Sequence, residues 1–355
     1  MSQSPNPSLS RQALADAALL HATQMFGLEP QKLHLWRADN AQISCRSVAG
    51  ITGIDAIDIL PLGRLGNHII ALANAIAVAQ QYGIGAIHLH RLELDTAFGT
   101  PPLLSAGGVR LHHRPPAAGE YATLLHARFF FLWAFRGTGG PPFRRALIDG
   151  ADYPAILQGP VRMLLPRLRP DVVGPAALVM HVRSGDIFGP TPRADYGQPP
   201  LAHYLASLDH AAQQASVSDV VIVHEDRVNP VVDALEGALR ERGVAHRVVS
   251  GSLLDDASVI FSARRLVAGF GTFVPSLASL SPAVTDIYFF RGVESPASFR
   301  PEATRFWRVE DRAGGFIPPH AWSNTAEQRQ AMLDYPVAAL DIARADLGPS
   351  RKKRR

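Results

Sequence analysis

Leu178-Val179-Met180-His181-Val182-Arg183-Ser184-Gly185-Asp186 decides the reading of the fold. An apolar run broken only by His181 suits a strand buried on both faces, as strands of parallel sheets are. The polar residues from Arg183 onward mark where that strand, Leu178 to Val182, ends. Strand and helix patterns then alternate. Leu201 to Ala215 reads as helix, Val220 to Val223 as strand, Val231 to Arg242 as helix and Ala245 to Val249 as strand. Ala257 to Ala263 follows as helix, Leu266 to Ala268 as strand, a helix begins near Phe273, and Asp286 to Phe290 is a strand. Such alternation predicts an α/β fold with a parallel sheet covered on both faces.

Upstream, Ile54 to Leu60 reads as a strand, Pro61 to Asn67 as a glycine-containing loop and His68 to Tyr82 as an alanine-rich helix ended by Gly83. Ala86 to Leu89 is the next strand, while Gly99 to Pro116 and Gly137 to Pro142 read as loops. This strand, glycine loop and helix is the opening unit of a second nucleotide-binding type of domain. Pro166, Pro170 and Pro175 place the boundary between Leu164 and Gly174. The expected organisation is an N-terminal extension over 1–50 with one helix (Ala13 to Phe26) and a connecting segment (Leu33 to Arg46). Rossmann-like domains follow over 51–168 and 169–300, then a helical segment over 301–345 and a basic tail over 346–355. In the helical segment Thr325-Ala326-Glu327-Gln328 forms a capping box for a helix that Pro336 stops.

Composition narrows the function classes. At 355 residues, 47% hydrophobic and 19% charged, the chain describes a soluble globular protein of two domains. The lone Cys45 excludes an internal disulfide framework and a multi-thiolate metal site, and a reducing, cytoplasmic setting is the simpler reading. Arg351, Lys352, Lys353, Arg354 and Arg355 outweigh the net charge of +4, so the rest of the chain is slightly acidic. The tail reads as a solvated run, with weak peripheral contact to an anionic membrane surface as the minority reading. Basic residues interleaved with aromatics on a folded face are lacking, so no nucleic-acid partner is expected. Met1 to Ser10 has no signal-peptide pattern, and Phe129 to Phe135 is too short to span a bilayer. That greasy run reads as buried core, with an acceptor lid or membrane patch as its rivals.

Ligands of open α/β sheets lie beyond the carboxyl ends of the strands. There His181 and Arg183 stand two apart on one side of their strand. The planar, permanently charged guanidinium of Arg183 suits a diphosphate; a strand-end salt bridge to Asp186 is the competing explanation. Gly63-Arg64-Leu65-Gly66-Asn67-His68 opens a helix and can bring backbone N–H groups to an anion, or can simply be a tight turn. Gly269-Phe270-Gly271-Thr272-Phe273-Val274-Pro275-Ser276 leads into a helix that Thr272 is placed to cap, with the hydroxyls of Thr272 and Ser276 as phosphate ligands. His224-Glu225-Asp226 and Ser252 to Asp256 supply carboxylates able to accept guanine N–H groups, or to cap a helix.

In order and spacing these elements resemble the α-1,2- and α-1,6-fucosyltransferases and the related protein O-fucosyltransferases, closest to the α-1,2 family. Gly63 to Asn67 is similar to that superfamily's glycine-glycine-leucine-glycine-asparagine opening, and His181 to Asp186 to its His-x-Arg-x-Gly-Asp motif. Asp256 to Phe273 is similar to the third motif, and the resemblance spans roughly Ile54 to Ser281. It implies a GT-B architecture of two facing Rossmann-like domains, with donor nucleotide on the second. It implies Arg183 on the diphosphate, His181 and Asp256 near guanine and ribose, and Thr272, Phe273 and Ser276 on the phosphate side. The implied reaction is inverting and metal-independent, from GDP-fucose to a glycan hydroxyl, with no cofactor. Ser184, where the α-1,6 branch resembles a second arginine, and Phe273-Val274-Pro275, in place of a more polar run, depart from the pattern and leave the donor sugar open.

Inverting transfer needs a base for the acceptor proton. Asp186, Asp195 and His68 are the candidates, beside a leaving-group-assisted reaction without one; Arg183, Arg64 and the helix start at Thr272 would stabilise the diphosphate. Glu93-Leu94-Asp95 could share one face, but it lies in the half not expected to hold the donor, so no metal is expected. The rival readings are a pyruvyl or other group transferase acting on surface polysaccharide, and a non-catalytic nucleotide-binding protein.

Overall fold

The computed structural model describes residues 44–45, 55–61, 63–94, 97–121, 124–127, 152–290, 304–312, 314–318 and 321–345. The expected helix Ala13 to Phe26, most of Leu33 to Arg46, the run Phe129 to Phe135, the loop Gly137 to Pro142, Asp95 and the basic tail lie outside the described residues. Two compact units emerge. Unit 1 contains the described residues up to 127 together with 152–165, and unit 2 those from 166 to 345. The chain passes from one to the other between Leu165 and Pro166.

Unit 1 is built on strands β1 (Ser44–Cys45), β2 (Ala56–Ile59), β3 (Ala86–His88), β4 (Leu103–Ala106), β5 (Val109–His112) and β6 (Leu124–Ala127). Their order is β1-β6-β2-β3-β5-β4, with β6, β2, β3 and β5 parallel and the two edge strands antiparallel. Helix α1 (Leu65–Tyr82) is buried on almost every side from Leu65 to Ala79, which suits its alanine-rich sequence. Gly83 ends it in the left-handed conformation, donating its N–H to the Ala79 carbonyl. α1 begins three residues earlier than its pattern suggested, so Gly66 and Asn67 belong to its first turn rather than to the loop. The stretch read as loop after Gly99 contains the β4–β5 hairpin. Gly107 and Gly108, at φ 57° and 81°, make the two-residue turn whose twist matches paired strands.

Unit 2 carries β7 (Leu178–Val182), α3 (Leu201–Gln214), β8 (Val220–His224), α4 (Val231–Glu241), β9 (His246–Val249), α5 (Leu253–Ser262), β10 (Arg265–Ala268), α6 (Phe273–Leu280) and β11 (Asp286–Phe290). It closes with β12 (Arg305–Asp311), α7 (Ala326–Asp334) and β13 (Leu340–Arg344); the short α2 (Tyr153–Ile156) belongs to unit 1. The order β13-β12-β11-β10-β7-β8-β9 is parallel throughout except for β13. Counting from β7, the first six strands lie in the doubly wound sequence 3-2-1-4-5-6. Every residue of β7, β8, β10 and β11 is buried, as the apolar runs required.

The fold is therefore α/β with mixed, mostly parallel sheets, and the expectation of purely parallel sheets is corrected at three edge strands. The segment 301–345, read as helical, supplies two of the unit 2 strands. α5 starts at Leu253, ahead of the expected Ala257, because Ser252 and Asp255 form a reciprocal capping box. Thr325 accepts the Gln328 N–H as foreseen, but the Gln328 side chain turns to Ser323 and Ala321 instead of closing the box. Among the described residues no helix is long and apolar enough to cross a membrane.

Candidate functional site

In the 3-2-1-4-5-6 order the strand sequence reverses between β7 and β10, and ligands of doubly wound sheets bind beyond the carboxyl ends at that point. Both sequence motifs of the second half end there. β7 delivers His181 and Arg183, and β10 delivers Gly269 to Thr272.

Close packing joins the two strand ends. Gly269 donates its N–H to the His181 carbonyl at 2.9 Å. A Cβ on Gly269 would stand 2.8 Å from that oxygen and 2.9 Å from the Arg183 nitrogen, so only glycine fits. The Phe270 N–H donates to buried Gln198 at 3.2 Å, which ties the loop after β10 to the loop after β7. His181 is itself buried, with its ring 5.5 Å from that of Phe273. Burial, then the neighbouring Arg183 and His224, hold its pKa down to about 3, so the ring is neutral at physiological pH.

Arg183 is 19% exposed and reaches two carboxylates. Its Nη2 donates to Asp186 Oδ1 at 2.5 Å, and its Nη1 lies 3.9 Å from Glu225 Oε2. The salt bridge that competed with the anion-site reading is thus present. Asp186 is 76% exposed and spends one oxygen on Arg183, which fits a neutralising partner better than a base. Gly185 takes φ 76°, and a Cβ there would meet Glu225 Oε2 at 2.6 Å, which lets Glu225 approach.

Asp226 faces inward instead. It accepts the Ser184 hydroxyl and the N–H groups of Val228 and Gly185 at 3.0 and 3.3 Å. Burial pushes its pKa up, but these hydrogen bonds outweigh it and leave the carboxylate below its ordinary value. All three bonds fall on Oδ1, so Asp226 ties the loops after β7 and β8 together. Asn229, which the sequence did not single out, completes that tie. Buried, it donates to the Arg183 carbonyl at 2.8 Å and accepts the Val231 N–H at 3.0 Å. Asn229→Ala strands both groups and is expected to cost about 1–3 kcal/mol. A lowered urea midpoint with an unchanged slope would register it; an unchanged midpoint would contradict the pin.

Asp256 sits half-buried in the first turn of α5 and accepts the Gly251 N–H at 3.0 Å. Burial raises its pKa, the Gly251 bond opposes this, and Asp255 and Glu225 add to the rise. The α6 start differs from expectation. Thr272 has helical backbone, φ −89° and ψ −12°, and makes no side-chain cap hydrogen bond, because a capping side chain needs an extended backbone. Ser276 is fully buried. Pro275 has no N–H, so the anion-facing donors of that turn are the backbone groups ahead of it. Asp195 belongs to the turn Ala194–Tyr196, and its side chain lies outside the described residues.

In unit 1, Gly63 has φ 68° and leads into α1 behind the exposed Arg64, with Gly66 and Asn67 in the first helical turn. His68 is buried, and its Nδ1 accepts the Glu93 N–H at 2.9 Å. That bond puts the ring proton on Nε2 and leaves the neutral imidazole without a basic nitrogen. Burial lowers its pKa against the opposing effects of Glu93 and Gly63. His68 is therefore corrected from candidate base to structural side chain.

A cavity of about 290 Å³ at the amino ends of the unit 2 strands is lined by Arg264, Arg265, Asp286 and Arg305. Its charges are used to hold the sheet: Arg265 bonds the Ser216 carbonyl at 2.8 Å, and Asp286 takes Arg305 and the Trp307 indole, both at 2.7 Å. The two motif-bearing strand ends, after β7 and β10, lie at the opposite, carboxyl edge. Among the described residues no group of three or more His, Cys, Asp or Glu could hold a metal ion. Comparison with protein-family models, with curated proteins and with solved structures yields no match to this chain.

Proposed function

We propose that the chain is an inverting, metal-independent glycosyltransferase that moves a sugar, fucose from GDP-fucose, to a hydroxyl of a glycan acceptor. Its two Rossmann-like units are taken as the acceptor and donor halves of a GT-B enzyme. The observation that carries the reading is the position of Arg183 at the reversal between β7 and β10, beside a glycine-rich entry into α6. The donor diphosphate would replace Asp186 on the guanidinium, which can bond two phosphate oxygens at once. As the bond between the anomeric carbon and the diphosphate breaks, charge gathers on the leaving oxygen. Arg183 and the α6 N-terminus stabilise it there, where preorganised donors act most strongly.

Neutral His181 and half-buried Asp256 stand on the base and ribose side in this scheme. The test is ligand-selective melting. GDP is expected to raise Tm, by RT ln(1 + [L]/Kd) in free energy, while UDP and phosphoenolpyruvate leave it unchanged. Stabilisation by phosphoenolpyruvate alone would favour a pyruvyl transferase and sink the proposal. GDP binding without consumption of any GDP-sugar would instead leave a nucleotide-binding protein.

A further inference from the structure

Between β7 and α3, the loop from Arg183 to Pro200 holds side chains that the diphosphate reading leaves unused. Strand-to-helix connections usually run to about 2–6 residues, and far longer ones are commonly functional. Two clamps hold this one. The first comes from the segment before α7. The Trp322 indole donates to the Ile187 carbonyl at 3.1 Å, the Trp322 N–H to the Ala194 carbonyl at 3.2 Å, and Asn324 Nδ2 to the Phe188 carbonyl at 2.7 Å. The second is Gln198, 1% exposed, which spends one amide end on each of two loops. Its Oε1 accepts the Phe270 N–H at 3.2 Å and its Nε2 donates to the Tyr196 carbonyl at 3.0 Å. An aromatic pair is what these clamps fix. The rings of Tyr196 and Phe270 meet edge to face, 5.4 Å apart at 75°, and the Arg193 guanidinium lies 4.9 Å from the Tyr196 ring. Both aromatic residues are only partly buried. They present apolar surface with a cation beside it, the usual lining of a small-molecule site.

Strand order fixes the side of the crevice on which the pair stands. In β10-β7-β8, the loop after β8, with Glu225, lies on one side of Arg183, and the loop after β10, with Phe270, on the other. Glu225 is close enough to Asp256 to help raise its pKa, so the guanine and ribose of the proposed donor belong on the β8 side. The sugar beyond the diphosphate then falls on the β10 side. We infer that Tyr196 and Phe270 form the wall against which the donor sugar packs, with Gln198 positioning them, an inference that rests on the glycosyltransferase reading. A flat ring covers the C–H face of a pyranose while the hydroxyls stay in water. A 6-deoxy sugar carries a methyl group where its hexose has a hydroxymethyl, and an apolar wall takes up the methyl without stranding a hydroxyl. The wall therefore favours GDP-fucose over GDP-mannose.

The test measures kcat/KM for GDP-fucose and GDP-mannose from GDP release, alongside GDP-induced melting. Tyr196→Ala and Phe270→Ala are each expected to lower kcat/KM for GDP-fucose about tenfold and to narrow its lead over GDP-mannose. GDP has no sugar, so its melting shift should stay at the wild-type value in both. Tyr196→Phe, which keeps the ring, should match the wild type. Gln198→Ala is expected to lower kcat/KM for GDP-fucose as well, and Gln198→Glu, which keeps an acceptor for the Phe270 N–H, to recover part of the loss. Unchanged kcat/KM and donor preference in the two aromatic variants would overturn the wall while leaving the diphosphate site standing. Loss of the GDP shift in both would also overturn it, because the rings would then serve the nucleotide. Absence of GDP stabilisation in the wild type would overturn the reading beneath it. Should the alanine variants not fold, saturation-transfer NMR of the wild type with GDP-fucose decides: transfer from aromatic protons to the sugar methyl supports the wall, and transfer confined to guanine and ribose contradicts it.

Discussion

Arg183→Ala is expected to lower kcat/KM for the GDP-sugar on the order of 10²–10³-fold, the loss typical of removing one preorganised charge at a developing anion. The fold should survive the change. Arg183 is bonded to Asp186, which is 76% exposed, and lies 3.9 Å from Glu225. Ion pairs with so exposed a partner contribute ~0–1 kcal/mol, and removing the cation leaves no buried charge behind. The backbone tie through the Arg183 carbonyl and Asn229 is untouched by the truncation. Melting of the free variant close to the wild type, with the GDP-induced shift lost, is therefore the expected pair of results. A variant that melts normally and keeps its GDP shift would mean that the guanidinium only holds Asp186.

Gly269→Ala is expected to destabilise unit 2 and to spoil the site together. The added methyl meets the backbone of β7 at 2.8 and 2.9 Å, and backbone cannot swing aside as a long side chain would. Overpacking of this kind costs about 1–3 kcal/mol. The displaced atoms belong to His181 and Arg183, and a 1 Å misplacement of a binding group costs on the order of 10²-fold. Gly237→Ala provides the contrast. Gly237 lies inside α4 with open space around its Cβ position, so the substitution should stabilise by about 0.5–1 kcal/mol. Urea titrations of both variants check the pair. Equal midpoints for Gly269→Ala and wild type would show that β7 and β10 are not so closely joined.

The inner strands of unit 2 were legible because a strand buried on both faces must be an apolar run, and Leu178 to Val182 or Val220 to Val223 can be little else. β12 was not. Arg305 to Asp311 buries only Phe306 and Val309, three positions apart, and its polar members hid the strand. The β4–β5 hairpin was masked by the glycine and proline content of its surroundings, although Gly107-Gly108 is itself the turn signal. Within the site, Arg183 could be read because its place follows directly from a strand end. Which of Glu225 and Asp226 faces it could not, since that depends on the path of the loop after β8. In unit 1, Asp58 of β2 and His126 of β6 were not legible as a pair: 68 positions apart, they meet only through strand register.

GDP release from GDP-fucose and GDP-mannose, followed in parallel for the wild type and Arg183→Ala, tests the central claim most directly. The wild type is expected to turn over one of the two donors and Arg183→Ala to do so at least about a hundredfold more slowly. Equal turnover by both proteins would contradict the assignment of Arg183 to the diphosphate.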